Sequence, residues 1–235
     1  MTTSITSAAS AETKRREAIA WDTRLMQVAM LIGRLGLAFL FFSQLFWKVP
    51  PHFGCGQEFA FTGLNAEGQI VRTSGLCDWL GVEAVYAVRE RSFFITDFNN
   101  DGAAEIALSL APLVRLNGIF VENVVMPNIS WFGWLIFLAE AFIAVSLFFG
   151  IFSRLGALTA AGISIQLMLG LAGIWDPAAE VYEWEWTYHL MILLSIVLLG
   201  AAPGRFLGVD AALRPRLKAA AEKGNRPARL LLAFT

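Results

Sequence analysis

Apolar residues gather in four long runs along the chain, at 26–47, 131–150, 154–175 and 186–202. None shows the strict alternation of a half-buried strand or a sustained heptad. About 20 residues at 1.5 Å rise each cover a hydrocarbon core of roughly 30 Å, so the pattern predicts four transmembrane helices. The two central runs form a hairpin, joined by Ile151, Phe152, Ser153 and Arg154. Trp131 and Trp134 at one end, and Trp175 at the other, read as interfacial anchors. Gly33 and Gly36 in the first run would let a neighbouring helix come close.

The polar stretches divide the rest. Residues 1–25, rich in Ser, Thr and Ala and basic towards the end, read as a disordered cytoplasmic tail rather than a signal peptide. Pro50-Pro51 ends the first span and opens an outer insertion over 48–130. Inside it, 105–126 is apolar enough to imitate a span. Pro112, Arg115, Asn117, Gly118, Glu122 and Asn123 instead read it as one or two helices lying on the interface. Pro203-Gly204 closes the fourth span, and 203–235 reads as a cytoplasmic basic tail.

Composition agrees with a membrane protein: 57% of residues are hydrophobic, 16% are charged, and the mean hydropathy is +0.59. Charge adds an orientation. With both termini and Arg154 inside, the inner segments hold 12 Lys and Arg against 5 Asp and Glu, and the outer segments hold 5 against 13. This Lys/Arg bias predicts an N-in, C-in, multi-pass protein of the plasma membrane, with its outer loops in the periplasm or extracellular space. The only two cysteines, Cys55 and Cys77, then share the oxidising side. A disulfide between them is expected, constraining the unfolded chain by about 3 kcal/mol; two free thiols are the alternative. The expected fold is thus an all-α bundle of four spans with a disulfide-pinned outer insertion between the first two.

Candidate chemistry falls in three places. Arg34, Glu140 and Gln166 lie on three spans, roughly 12, 15 and 18 Å from the inner end by helical rise. One reading is a structural Arg34–Glu140 ion pair with Gln166 nearby; the other makes Glu140 and Arg34 catalytic, with Glu140 a proton relay or ligand group. Nearer the outer face, Glu185 and His189 share one side of the fourth span, Gln44 and Lys48 one side of the first, and Tyr188 is adjacent. His189, Lys48, Gln44 and Tyr188 would suit a quinone headgroup, with Glu185 orienting the histidine. Interfacial side chains reaching for water would leave the same spacing. Asp97, Asn99 and Asp101 begin a calcium-loop pattern that fails at Leu108, so a capping turn is the expectation there and no metal is assigned. The basic C-terminal run suits anionic lipid and gives no reason to expect nucleic acid.

The segments GRLGLAFLFFSQLFWKV at 33–49, AEAFIAVSLFFGIFSRLGAL at 139–158 and GAAPGRFLGVD at 200–210 resemble the DoxX-type four-helix membrane family. That family includes the DoxD subunit of thiosulfate:quinone oxidoreductase. The residues carrying the likeness are Arg34, Lys48, Glu140, the connector from Gly150 to Arg154, and Gly204, Arg205 and Asp210. The outer insertion departs from a minimal member. The resemblance implies a membrane subunit of a quinone-linked oxidoreductase acting on thiosulfate or another small sulfur donor, with membrane or periplasmic partner subunits. A non-catalytic assembly subunit docking through the insertion is the alternative.

Overall fold

The computed structural model describes residues 3–87, 94–96, 106–108, 110–171 and 182–235. Its first element, α1 (Thr3–Gln44), is one unbroken helix, followed by a 3-10 turn at Leu45–Trp47. The expected disordered tail over 1–25 is therefore helical from Thr3 onward. Ala8, Ala9, Ala11, Glu12, Lys14, Arg15, Arg16 and Glu17 are strong helix formers. They extend a helix already nucleated by the apolar span, where each added residue gains a hydrogen bond at little further cost.

Three helical stretches are long and apolar enough to cross a membrane among the described residues: Ile19–Trp47, Pro112–Phe149 and Ser153–Leu171. They belong to α1, to α3 (Ala111–Phe120) continued by α4 (Ile129–Phe149), and to α5 (Ser153–Leu171). A shorter apolar stretch, Thr187–Ala201, lies in α6 (Tyr182–Ala201). Ile32, Phe39, Leu138, Val145, Leu190 and Leu193 all stand exposed on these helices. So much exposed apolar surface fits a hydrocarbon surround rather than water, and marks a membrane protein.

The outward apolar side chains are matched by an inner seam. Leu37 and Phe41 of α1, Ile143 and Leu147 of α4, Ala157 and Ala160 of α5, and Leu198 of α6 form one buried cluster. α1 packs on α4, and α5 most extensively on α6. Small residues let these helices close up: Gly33 meets Leu194, where an added Cβ would lie 3.1 Å from its Cδ1, whereas Gly36 faces open space.

The stretch expected to form interfacial helices, 105–126, holds both strand and helix. β4 (Ile106–Leu108) precedes α3, then a π turn at Val121–Val125 and a 3-10 turn at Met126–Asn128 run directly into α4. Pro127 supplies no N–H, and the hydrogen-bond ladder changes register around it instead of breaking. The 38 residues Pro112–Phe149 extend well beyond one hydrocarbon thickness, so part of this helical run lies outside the core.

The chain is mostly helical, as expected, but the insertion also holds two short antiparallel ribbons. β1 (Gly63–Leu64) pairs with β2 (Ile70–Val71), and β3 (Phe94–Thr96) pairs with β4, both antiparallel. Between these ribbons lies α2 (Gly75–Ala87). The Cys55–Cys77 disulfide is present, with its Cα atoms 5.5 Å apart. It sits in a second core with Phe53, Leu76, Leu80, Val121 and Ile129, so the insertion is packed onto the α3–α4 run.

The expected basic tail also folds. It forms α7 (Gly204–Leu207), α8 (Val209–Glu222) and α9 (Arg226–Phe234), the last capped by Asn225, whose side chain accepts a hydrogen bond from the Ala228 N–H at 3.0 Å.

Candidate functional site

Two polar clusters are buried in the bundle, separated along α1 by the 14 residues from Arg34 to Lys48. That spacing is about 20 Å of helix.

The first cluster ties the α4–α5 connector to the end of α6. Gly150 ends α4 at φ 63° and ψ 42°, a left-handed conformation. A side chain there would also fall 2.3 Å from Arg34 Nη1, so glycine is required on both counts. Asp210 accepts from the Phe152 N–H at 2.7 Å, the Ser153 N–H at 2.9 Å and the Ser153 hydroxyl at 2.7 Å. Its own N–H donates to the Gly150 carbonyl at 2.9 Å. Arg34 donates through Nη2 to the Leu207 carbonyl at 2.7 Å and is attracted by the Asp210 carboxylate. The Gly204 N–H donates to Ser153 Oγ at 3.2 Å.

This corrects the Arg34–Glu140 pair. Arg34 reaches the Leu207 carbonyl at the end of α7, which a depth along the apolar run does not reveal. The cluster is a hydrogen-bonded staple. Every donor and acceptor named in it serves backbone closure.

Glu140 pairs instead with Lys48, whose ammonium donates to Glu140 Oε1. The 3-10 turn at Leu45–Trp47, followed by Pro50-Pro51, turns Lys48 back into the bundle, where it also lies 4.3 Å from the centroid of the Trp47 ring. Trp47 in turn stacks on Trp79 of α2, with ring centroids 5.9 Å apart. The end of the first span is thereby fastened to the insertion.

Lys48 and Glu140 face a cavity of about 420 Å³. Its wall is mostly apolar, with Gln44, Lys48, Glu83, Glu140, Gln166 and Tyr188 as polar points. Three of the four residues expected to bind a quinone, Gln44, Lys48 and Tyr188, therefore meet here together with Gln166; His189 is not part of the wall. The side chain of Glu185 lies outside the described residues, as do Asp97, Asn99 and Asp101. Among the described residues no group of three or more His, Cys, Asp and Glu could hold a metal ion.

Leu40, Phe120 and Leu135 line the cavity while being 40%, 45% and 49% exposed. The cavity wall is thus continuous with the apolar outer surface. On the inside, Glu140 Oε2 is buried with no hydrogen-bond partner among the described residues. A buried carboxylate oxygen in that state is an acceptor awaiting a donor.

Glu83 was not anticipated. It comes from α2 and is 2% exposed. Its Oε2 accepts from Gln166 Nε2 at 2.7 Å and from Asn117 Nδ2 at 3.4 Å. Burial pushes its carboxyl up to about 8, against the opposing pull of the two amides and of Lys48. The signal in the sequence was a lone carboxylate among Leu80, Val82, Ala84 and Val85, the same kind of signal that singled out Glu140. The turn residues around it, Ser74-Gly75 and Gly81, mask that signal by giving the stretch the look of a loop.

A helical membrane protein with a polar-pointed cavity inside its bundle is the class these features define. The family described as TQO small subunit DoxD matches residues 109–227, just over half of the chain, and the chain belongs to that family. No curated protein and no solved structure matches it. The matched stretch runs from before α3 into α9 and includes Glu140, Gln166 and the Gly150, Ser153, Gly204 and Asp210 staple. Arg34, Lys48 and Glu83 precede it.

Proposed function

We propose that this chain is the membrane subunit of a quinone-linked oxidoreductase, with thiosulfate or a similar small sulfur compound as the electron donor. The observation that carries this reading is the Lys48–Glu140 pair facing an apolar cavity of about 420 Å³, a volume suited to a small ring system. Leu40, Phe120 and Leu135 supply a wall continuous with lipid, the phase from which a quinone would enter. A bound quinone supplies the capacity to accept two electrons and two protons.

The protein's part is placement and charge. Lys48 would donate to a carbonyl oxygen of the ring, and Glu140, which accepts from it, would hold that ammonium in place. The unpartnered Glu140 Oε2 would accept from a hydroxyl, and Gln44 and Tyr188 offer further polar contacts at the wall. Trp47 and Trp79 exclude water from the insertion side. α6 makes the fourth crossing in this reading, with both termini on the cytoplasmic side and the insertion outside. There the insertion faces a partner subunit that passes electrons to the cavity.

The test is gentle purification from the native membrane followed by extraction of bound lipids. Stoichiometric quinone is expected, lost in Lys48→Met and retained in His189→Ala. A fixed set of partner proteins with no quinone would overturn this reading and make the chain an accessory subunit.

A further inference from the structure

Glu83 and Glu140 line one cavity with Lys48, the single cation in its wall among the described residues. Lys48 attracts both carboxylates but makes its hydrogen bond and ion pair with Glu140. Among the described residues, the groups facing Glu83 from the elements around it are otherwise neutral. They are Asn117 of α3, Gln166 and Gly170 of α5, and Tyr188 of α6. Arg115 of α3 and Glu122 of the π turn are exposed to the outside. Two buried carboxylates therefore share one buried ammonium.

Charge balance in a low-dielectric cavity permits one carboxylate opposite one ammonium; a second ionised carboxylate would stand uncompensated. Lys48 commits to Glu140, so the remaining proton falls to Glu83. We infer that Glu83 is a proton-holding carboxyl of the cavity, keeping one exchangeable proton beside the Lys48–Glu140 pair. Gly170 positions it: an added Cβ there would lie 2.3 Å from Glu83 Cδ, so the carboxyl occupies space that only glycine leaves open.

The exchange balances simply. Breaking the Glu83 O–H bond releases a proton and leaves a carboxylate that the Gln166 and Asn117 amides and Lys48 stabilise; taking a proton re-forms the bond, and no electron moves. Its existence rests on the charges around Glu83. Its use towards a bound ligand, as a donor selecting for a ligand with acceptor oxygens, rests on the quinone reading above.

The test is infrared spectroscopy of the full chain in lipid nanodiscs across a pH titration, in water and deuterium oxide. A carboxylic-acid C=O band is expected that titrates near pH 8, shifts on deuteration and is absent in Glu83→Gln. Glu140→Gln, which leaves Glu83 in place, frees Lys48 for it and moves the midpoint to lower pH; this arm decides the matter if Glu83→Gln does not fold. A merely structural Glu83 would show no such band. Its absence at neutral pH, its persistence in Glu83→Gln, or an unmoved midpoint in Glu140→Gln would overturn the inference. A band behaving as expected in protein that binds no quinone supports the proton site while removing the quinone reading. Bound quinone without the band does the reverse.

Discussion

Lys48 and Glu140, 92 residues apart in the chain, form an ion pair inside the bundle with side chains only 7% and 2% exposed. One stands just past the end of the first span and the other in the middle of α4, so the contact fixes how far α1 slides along its neighbour. Such a pair is a weak source of net stability, because removing both ions from water costs about as much as their attraction returns. Its persistence here fits a working role at the cavity.

Breaking the pair should cost more than removing it. Lys48→Met leaves the Glu140 charge buried and uncompensated, with an expected loss of about 3–5 kcal/mol. The double variant Lys48→Met/Glu140→Leu should recover most of that loss. Denaturation of the detergent-solubilised protein reads both; a double variant as unstable as the single one would show that the pair is not the source of the effect.

The staple at the other end should behave independently. Asp210→Ala removes the acceptor for two backbone N–H groups and the Ser153 hydroxyl, leaving buried donors without partners. The expected cost is about 3 kcal/mol or more. Combined with a Lys48 variant, the losses should add, since the two clusters share no partner. Bound lipid cofactor, measured by extraction, should be unchanged in Asp210→Ala.

Glu83 should leave a signature in the pH dependence of stability. Its folded carboxyl is raised from an ordinary 4.5 to about 8, so between those values the folded chain keeps a proton that the unfolded chain has lost. Stability then falls as pH rises through that window and levels off above it. Glu83→Gln should flatten this slope and be relatively more stable than the parent on the alkaline side. Thermal unfolding followed from pH 5 to 9 checks the sign, about the range between the two values.

Much of this architecture could be read from residue patterns, and the exceptions share a cause. Apolar length located the three long helical stretches in α1, α4 and α5, because lipid demands a long helix wherever it touches the chain, and it also marked the shorter apolar stretch of α6. Two cysteines confined to one insertion indicated the disulfide. Gln44, Lys48 and Tyr188 were picked out by chemistry and do meet, but His189 does not join them, since helical spacing gives the face of one helix and not the direction of its neighbours. Depth along one helix suggests Glu140 as a partner for Arg34, whereas its partners come from the α6–α7 corner. Glu83 was hidden by its setting in an insertion that looked like loop and is in fact a wall of the cavity.

The most direct measurement is photo-crosslinking of a quinone analogue in native membranes, with the modified peptides mapped by mass spectrometry. Adducts are expected on α2 and α4, at Leu76, Leu80 or Ile136, which line the cavity. Excess natural quinone should suppress them, and Lys48→Met should abolish them. Labelling confined to the lipid-facing residues Leu190 and Leu193 of α6, or adducts indifferent to competition and to Lys48, would contradict a quinone site in this cavity.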